Sequence, residues 1–434
     1  MKKISYLSAL ALGTAISILS SAVYADPPMP PFYAAVAKMA PEGKLGQVIK
    51  QEKIATSVKG AQAWRVAYIS SDISGRKTIA TGMVVVPTGP APAGGRPVMS
   101  WAHGTTGTAQ NCGPSQVFDP AVPLNQYFLV GGNSWTDYGI PSIEDWIKEG
   151  YVIAATDYQG LGGGGKHQYG VSATNGMDAI NAARAAGSMK EAGANKKAIV
   201  YGWSQGGGAT IAAASMPDYI QQKGTAFDDL DILGFVALAP LDLAAAAPKG
   251  KITQAQADQY FAGTLKEFSN GVFNFSHAVM GYWGNQAAFP NLKLSDILTD
   301  EGVKVVNEVL DNKCMHATAD TLSYNYSTTF MNLVKKNPSN TLAWSEAFVK
   351  GSVAQVKPAA PVQIYFGSAD ITVPPPMHKA YQDQMCKLGG NVGRMQLPGA
   401  QDHYTTPPVS KQYYLQWIKD RVAGKPLSNA CPQG

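Results

Sequence analysis

The amino-acid sequence predicts an α/β protein in which a mostly parallel sheet is flanked by helices. Seven short runs have the composition of strands, and five of them are continuous apolar runs typical of strands buried on both faces of a parallel sheet. Predicted helices lie between them, and this alternation is characteristic of α/β folds. A further observation is a Gly-x-Ser-x-Gly pentapeptide at 202–206, between a predicted strand and a predicted helix.

The predicted elements follow one another along the chain. Strands are predicted at 64–70, 78–86, 97–101, 151–156, 198–201, 232–239 and 362–366, and helices at 143–149, at 176–191 and from 207 onward. Residues 241–358 break the alternation, because they are rich in aromatic residues and are predicted to be mainly helical, with helices at 253–267 and 294–310. We interpret 241–358 as a helical cap inserted into a single domain, 26–434, above the sheet edge where ligands bind in open α/β folds.

The N-terminus has the pattern of a secretory signal peptide. Residues 1–25 contain a basic start, a short apolar run and small residues before a cleavage site that we place after Ala25. An uncleaved membrane anchor is the alternative, although the apolar run is short for a membrane span. The sequence therefore predicts export to the periplasm or the medium, without deciding between them.

Composition and charge narrow the classes of partner. The chain has 434 residues, of which 45% are hydrophobic and 15% are charged. This hydrophobic fraction is enough to build a large core. The formal net charge is +5 and falls to +3 when Lys2 and Lys3 leave with the signal peptide, which is too weak to indicate nucleic-acid binding. The sequence predicts no metal, cofactor or obligate protein partner. The glycine-rich stretch at 160–166 lacks the Ser or Thr that follows the lysine of a phosphate-binding loop.

The pentapeptide at 202–206 has the context of a nucleophile elbow, a sharp turn that presents a serine between a strand and a helix. Gly202 and Gly206 allow the two elements to approach without Cβ clashes. Ser204 lies at the positive end of the helix. An ordinary glycine-rich turn is the alternative interpretation of these five residues alone.

A serine nucleophile needs a histidine base and an acid that orients it, and after a nucleophile elbow the acid precedes the histidine. Asp370 stands in a turn after the predicted strand at 362–366, and His403 stands in a later loop that contains glycine. Asp402 competes for the acid role, but as the direct neighbour of His403 it is expected to point elsewhere. The remaining histidines are interpreted as structural or surface residues, namely His103, His167, His277, His316 and His378.

Backbone N–H groups are expected to stabilise the negative oxygen that forms during attack. One donor is predicted at Gln205, the residue after the nucleophile. The second is predicted at Thr105, in the loop after the strand at 97–101, with Gly104 as the alternative. The alternative interpretation of this loop is a plain glycine-rich turn.

Four cysteines in an exported chain indicate two disulfide bonds. Three pairings are possible. We favour Cys112 with Cys314 and Cys386 with Cys431, and the second of these would fasten the C-terminal tail to the body of the protein.

Several of these motifs together resemble the secretory lipase family, of the fungal lipase A type and its bacterial relatives. They are the stretches at 101–107 (WAHGTTG), 156–162 (TDYQGLG) and 202–206 (GWSQG), with Asp370 and His403 in their loops. The resemblance covers nearly the whole chain after the signal peptide, although the His-Gly step at 103–104 departs from the oxyanion loop of the fungal members. It implies an α/β-hydrolase fold with a helical cap after the sixth strand and a Ser204–Asp370–His403 triad, and the favoured cysteine pairing is consistent with it.

The sequence thus predicts a secreted carboxylic ester hydrolase that works through an acyl-enzyme. Its substrates are expected to be acyl esters of medium or long chain, including triacylglycerol-like lipids, with transient contact at a lipid interface. A short-chain or acetyl esterase, a serine peptidase and an acyltransferase are alternatives within enzymes. A non-catalytic binding protein on the same fold is the alternative outside them.

Overall fold

The computed structural model describes residues 29–117, 119–121, 139–248 and 250–432. A nine-stranded sheet lies at its centre. The strands are β1 (Val48–Ile54), β2 (Ala61–Ser71), β3 (Lys77–Pro87), β4 (Arg96–Ala102), β5 (Val152–Gln159), β6 (Ala194–Trp203), β7 (Asp231–Leu238), β8 (Val362–Phe366) and β9 (Val392–Gln396). The predicted signal peptide, 1–25, lies outside the described residues.

Helices connect the strands and cover the sheet. They are α1 (Pro31–Val36), α2 (Ile143–Lys148), α3 (Ser172–Ser188), α4 (Gln205–Ala214), α5 (Pro217–Ile220), α6 (Gln254–Phe268), α7 (Val272–Ala288), α8 (Asp300–Asn312), α9 (Met315–Tyr326), α10 (Thr341–Gly351), α11 (Pro375–Lys387) and α12 (Thr406–Val422). Helices α3 and α4 pack closely because small residues meet between them. A Cβ atom on Gly176 would lie 2.8 Å from the carbonyl oxygen of Ala209.

The strand order is β1-β2-β3-β5-β4-β6-β7-β8-β9. The first three strands and β5 pair antiparallel, whereas β5, β4, β6, β7, β8 and β9 form a parallel sheet. The order reverses around β4, so the loops after β4, β5 and β6 emerge side by side at the carboxyl edge. This is the edge at which open α/β sheets bind ligands.

The prediction of an α/β fold is confirmed, and the structure adds two strands that the sequence analysis missed. Both are edge strands, β1 and β9. Each mixes polar and apolar residues, because an edge strand is covered less completely than a central one. With β1 counted, the long helical stretch follows the seventh strand rather than the sixth.

Five helices, α6 to α10, lie between β7 and β8 and form a hydrophobic cluster of their own. Phe261, Tyr282, Trp344 and Phe348 stack or meet edge-on within it. The single helix predicted at 294–310 is instead a 3₁₀ turn, Leu294–Asp296, followed by α8. The break occurs because Thr299 caps α8, its hydroxyl accepting a hydrogen bond from the Gly302 N–H at 3.1 Å.

Two disulfide bonds join distant parts of the described chain, Cys112 to Cys314 and Cys386 to Cys431. The first connects the loop after β4 to the start of α9, and there Met315 N–H also donates to the Thr106 carbonyl at 2.9 Å. The second ties the C-terminal segment to α11. No helix among the described residues is long and apolar enough to cross a membrane.

Candidate active site

Ser204 occupies the turn between β6 and α4 in a backbone conformation that L-residues rarely adopt, with φ 57° and ψ −116°. Its N–H donates to the Leu238 carbonyl at 2.9 Å, and its carbonyl accepts from the Gly208 and Leu241 N–H groups at 2.9 and 3.0 Å. The surrounding chain therefore holds the strained turn on both sides, as a strained functional position requires.

Glycine is required on both sides of the serine. A Cβ atom at Gly206 would lie 1.9 Å from the carbonyl oxygen of Ala102, and one at Gly202 would lie 2.3 Å from the carbonyl oxygen of Gly206. These distances are far below van der Waals contact, and the opposing atoms belong to backbone that cannot move away easily. The two glycines therefore allow β4, β6 and α4 to approach one another closely.

The structure brings His403 and Asp370 to Ser204. His403 Nε2 lies 2.8 Å from Ser204 Oγ, and His403 Nδ1 lies 2.8 Å from Asp370 Oδ2. All three side chains are almost completely buried. Because the carboxylate accepts the proton on Nδ1, Nε2 carries the lone pair and the serine hydroxyl donates to it.

Asp370 is fixed by its own loop as well as by the histidine. Its Oδ1 accepts hydrogen bonds from the N–H groups of Thr372 and Val373 at 2.9 and 2.8 Å, which leaves Oδ2 for His403. The imidazole in turn packs against Trp203, with ring centroids 5.0 Å apart, and the indole N–H donates to the His403 carbonyl at 3.1 Å. The acid and the base are therefore each held in one orientation.

Asp402 takes a different place from Asp370. Its Oδ1 accepts from the N–H groups of Tyr404 and Thr405 at 2.9 and 2.8 Å, so it closes the turn that carries His403. The side chain is exposed, whereas that of Asp370 is buried. Asp402 thus shapes the loop rather than contacting the imidazole.

The two residues predicted to supply oxyanion donors lie near the serine. Gln205 is the first residue of α4, and the first N–H groups of a helix have no partner within it. Thr105 lines a small cavity together with Ser204 and His403. The alternative, Gly104, packs against Trp203, where a Cβ atom would lie 2.5 Å from the indole ring.

Buried side chains anchor the loop that carries Thr105. His103 Nδ1 donates to the Gly104 carbonyl at 2.6 Å, and the Tyr158 hydroxyl donates to the His103 carbonyl at 2.8 Å. Burial lowers the pKa of His103 to about 4. Tyr158 holds a positive φ of 71° beneath the loop.

The side chain of Gln205 is anchored in the same way. Its amide nitrogen donates to Asn175 Oδ1 at 3.1 Å and to His167 Nε2 at 3.0 Å. His167 Nδ1 donates to the Gln159 carbonyl at 2.8 Å, so Nε2 is the acceptor. Burial lowers the pKa of His167 to about 3 and keeps this imidazole neutral. The structural interpretation of His103 and His167 fits these contacts.

Two larger cavities meet at the serine and the histidine. Cavity A, about 480 Å³, reaches Ser204 between the loop after β7, helix α6 and the start of α11. Cavity B, about 530 Å³, reaches His403 between α7, α9 and the loop after β8. The small cavity lined by Thr105, Ser204 and His403 lies where they join.

Two histidines that were interpreted from the sequence as structural or surface residues, His277 of α7 and His316 of α9, line the small cavity. His277 Nδ1 donates to the Phe273 carbonyl at 2.9 Å, so its Nε2 is the acceptor. Burial, and then the neighbouring charge of His403, lower the pKa of His277 to about 4. Burial likewise lowers the pKa of His316 to about 4. Both imidazoles are thus neutral near pH 7.

No group of three or more His, Cys, Asp or Glu side chains in the described part of the chain is arranged to hold a metal ion.

The nine-stranded sheet carries a serine on the turn between β6 and α4, and this serine lies within hydrogen-bond reach of an imidazole that a carboxylate orients. This combination defines an α/β-hydrolase. The family model of the secretory lipases matches residues 133–430. The chain belongs to the secretory lipase family and is a carboxylic ester hydrolase.

Solved structures agree with this assignment at the level of the fold. Candida antarctica lipase A superposes with a TM-score of 0.68 at 18% identity, over 93% of this chain and 87% of that one. The rice cell wall degrading esterase LipA from Xanthomonas oryzae gives 0.65 at 16% identity, over 88% and 100%. A putative hydrolase from Legionella pneumophila gives 0.65 at 17%, over the same shares. No sequence among the curated proteins matches the chain significantly.

Proposed function

We propose that this ester hydrolase uses Ser204 as nucleophile, His403 as general base and Asp370 as the acid that orients it. The support is the continuous chain of two 2.8 Å contacts from Ser204 Oγ to Asp370 Oδ2. This arrangement allows the imidazole to accept the serine proton as the hydroxyl attacks, which is the activation that a serine nucleophile needs.

The reaction then proceeds in two halves. Ser204 Oγ bonds to the ester carbonyl carbon, its proton passes to His403 Nε2, and the carbonyl oxygen becomes an oxyanion held by the N–H groups of Gln205 and Thr105. Collapse breaks the bond to the alcohol, which leaves with the proton from His403. Water repeats the sequence on the acyl-enzyme, releasing the acid and restoring Ser204.

We further propose that acyl chains of medium or long length bind in cavity A. Apolar side chains dominate its lining, among them Leu243, Ala246, Phe268 and Met377. The leaving alcohol must lie on the His403 side, because His403 delivers its proton. Cavity B reaches His403, so we assign the alcohol to that side and the acyl chain to the other.

Residues 241–358 are proposed to act as a cap over this site. Helices α6, α7 and α9 contribute walls to the two cavities, and α7 and α9 bring His277 and His316 to their junction. A cap of this kind excludes water from the site and so strengthens its electrostatic interactions.

We also propose that residues 1–25 direct export and that transient contact with lipid interfaces delivers the substrate. The name of the family and the two disulfide bonds support export, since disulfides persist in oxidising compartments. N-terminal sequencing of the protein recovered from culture medium and periplasm tests this proposal. Retention of residues 1–25 on a membrane-bound protein would contradict it.

The substrate proposal is tested by hydrolysis of p-nitrophenyl esters with acyl chains from two to sixteen carbons. The parent enzyme should show a maximum at medium or long chains. Ala246→Trp, which projects into cavity A, should move the maximum to shorter chains. Ala319→Trp is the matched control because it projects into cavity B, where it should leave the chain-length profile unchanged. A parental maximum at acetate would instead indicate a short-chain esterase.

A further inference from the structure

The hydroxyl of Thr105 lies beside a second, deeply buried hydroxyl. Thr105 Oγ1 is 2.9 Å from the Tyr169 hydroxyl oxygen, and either atom has the geometry to donate. Tyr169 has no exposed surface, whereas Thr105 keeps 6% of its own and lines the cavity with Ser204 and His403. The two hydroxyls thus form a short chain that runs from the protein interior to the reaction site.

The direction of this hydrogen bond follows from where each proton can go. If Thr105 donated, the Tyr169 proton would need a second acceptor in the interior, whereas the contact with Thr105 Oγ1 is the hydrogen bond that the described residues make to this hydroxyl. An unsatisfied buried donor is unfavourable, so Tyr169 donates and the Thr105 proton points elsewhere. Burial raises the pKa of Tyr169 far above its usual value, so the phenol keeps the proton that it donates.

Tyr169 is held in place by helix α7. Its backbone packs directly on α7, where a Cβ atom at Gly284 would lie 2.2 Å from the Tyr169 carbonyl oxygen. Its ring lies beside His167, whose Nε2 accepts from the Gln205 side chain. Tyr169 and its neighbour His167 therefore fix Thr105 and Gln205, the two residues predicted to supply backbone donors.

We propose that the Thr105 hydroxyl is a third oxyanion donor, in addition to the backbone N–H groups of Gln205 and Thr105, and that Tyr169 is its positioning residue. Thr105 lines the small cavity with Ser204 and His403, so its hydroxyl is placed to donate to the carbonyl oxygen as that oxygen becomes negative. Donation from Tyr169 to Thr105 Oγ1 polarises the threonine O–H and makes it a stronger donor. This inference rests on the proposed role of Ser204.

The test uses four variants, Thr105→Val, Thr105→Ser, Tyr169→Phe and the double variant Thr105→Val/Tyr169→Phe. Valine keeps the shape and the backbone N–H of threonine but cannot donate from its side chain. Thr105→Val should lower kcat by about 10- to 100-fold with little change in KM, because the lost bond acts mainly in the transition state. Thr105→Ser, which restores a hydroxyl, should stay within about threefold of the parent enzyme.

The double variant distinguishes loss of the Thr105 hydroxyl donor from structural disturbance around Tyr169. In Thr105→Val the Tyr169 hydroxyl loses its acceptor, which alone disturbs the structure. In the double variant no hydroxyl is left unpaired, so a purely structural defect should be repaired. The proposal expects kcat of the double variant to remain as low as that of Thr105→Val. Tyr169→Phe alone should lower kcat only about two- to fivefold.

A second readout is the affinity for a trifluoromethyl ketone, which forms a tetrahedral oxyanion with the serine. Thr105→Val should weaken this affinity by the same factor as kcat/KM. Three results would overturn the proposal: kcat of Thr105→Val within twofold of the parent, recovery of kcat in the double variant, or an equal loss in Thr105→Ser. If Ser204→Ala retained ester hydrolysis, the proposed function itself would fail, which is a separate outcome.

Discussion

Asp370→Asn is the substitution whose effect the geometry determines most completely. Asp370 Oδ1 accepts two backbone hydrogen bonds, from Thr372 and Val373, at 2.9 and 2.8 Å. An asparagine at this position must keep its amide oxygen there, so its NH₂ group replaces Oδ2 and faces His403 Nδ1. Nδ1 then has to accept, and the ring proton moves to Nε2, where the imidazole can no longer take the serine proton.

The expected loss follows from this change of tautomer. A neutral amide in place of the orienting carboxylate lowers kcat by about 10⁴-fold in serine hydrolase triads, which corresponds to about 5.5 kcal/mol in the barrier. The fold should be retained, because the two backbone bonds to residue 370 survive. The assay is kcat at saturating p-nitrophenyl ester, with the thermal unfolding midpoint measured on the same samples.

Asp402→Asn is the matched control for this experiment. Asp402 Oδ1 also accepts two backbone N–H groups, from Tyr404 and Thr405, and it neighbours His403 in sequence. An amide oxygen reproduces these bonds, so kcat should fall by less than about tenfold. A kcat of Asp370→Asn within tenfold of the parent, or an equal loss of activity in the two variants, would refute the proposed role of Asp370.

Three further predictions concern stability. Gly206→Ala should prevent accumulation of folded protein, since its Cβ atom would lie 1.9 Å from the Ala102 carbonyl oxygen. Gly263→Ala in α6 meets open space and should raise the thermal unfolding midpoint, because alanine favours the helix. Soluble yield tests the first prediction, and thermal unfolding tests the second. Removing the Cys112–Cys314 bond should lower the free energy of unfolding by about 1 kcal/mol more than removing Cys386–Cys431, because the first bond closes a loop of 202 residues and the second a loop of 45. Urea titration of the paired Cys→Ala variants measures both losses, and equal or reversed losses would contradict this prediction. Burial lowers the folded-state pKa of His103, His277 and His316 to about 4, so unfolding takes up protons below pH 6.5 and the free energy of unfolding should fall as pH drops from 6.5 toward 4. Burial raises the pKa of Asp157 to about 6 and that of Asp178 to about 7, and these two groups act in the opposite direction. A free energy of unfolding that stays flat or rises on acidification would contradict the prediction and show that the two carboxyls dominate.

The central sheet was predictable because burial on both faces leaves a direct record in the sequence. β5 is buried at every position, and its apolar run marks it plainly. β1 has the sequence VIKQEKI, in which solvent-facing and core-facing residues mix, so no apolar run appears. The helix predicted at 253–267 nearly coincides with α6, whose N-cap Thr253 is part of a capping box.

The site was predictable where local backbone geometry demands particular residues, and less so elsewhere. The turn at Ser204 requires glycine at fixed positions, and the order of acid and histidine narrows the search for the remaining members. His277 and His316 left no comparable signal. They reach the junction only through the packing of α7 and α9 over the sheet, and sequence spacing does not determine which face of those helices turns toward the serine.

The most direct test of the account is to label the purified enzyme with a fluorophosphonate, follow ester hydrolysis during the reaction, and locate the adduct by peptide mass spectrometry. We expect one adduct per chain, on Ser204, with hydrolysis lost in proportion to labelling and no adduct on Ser204→Ala. Full labelling of Ser204 with hydrolysis intact, or an adduct on another serine that accompanies the loss of activity, would contradict it.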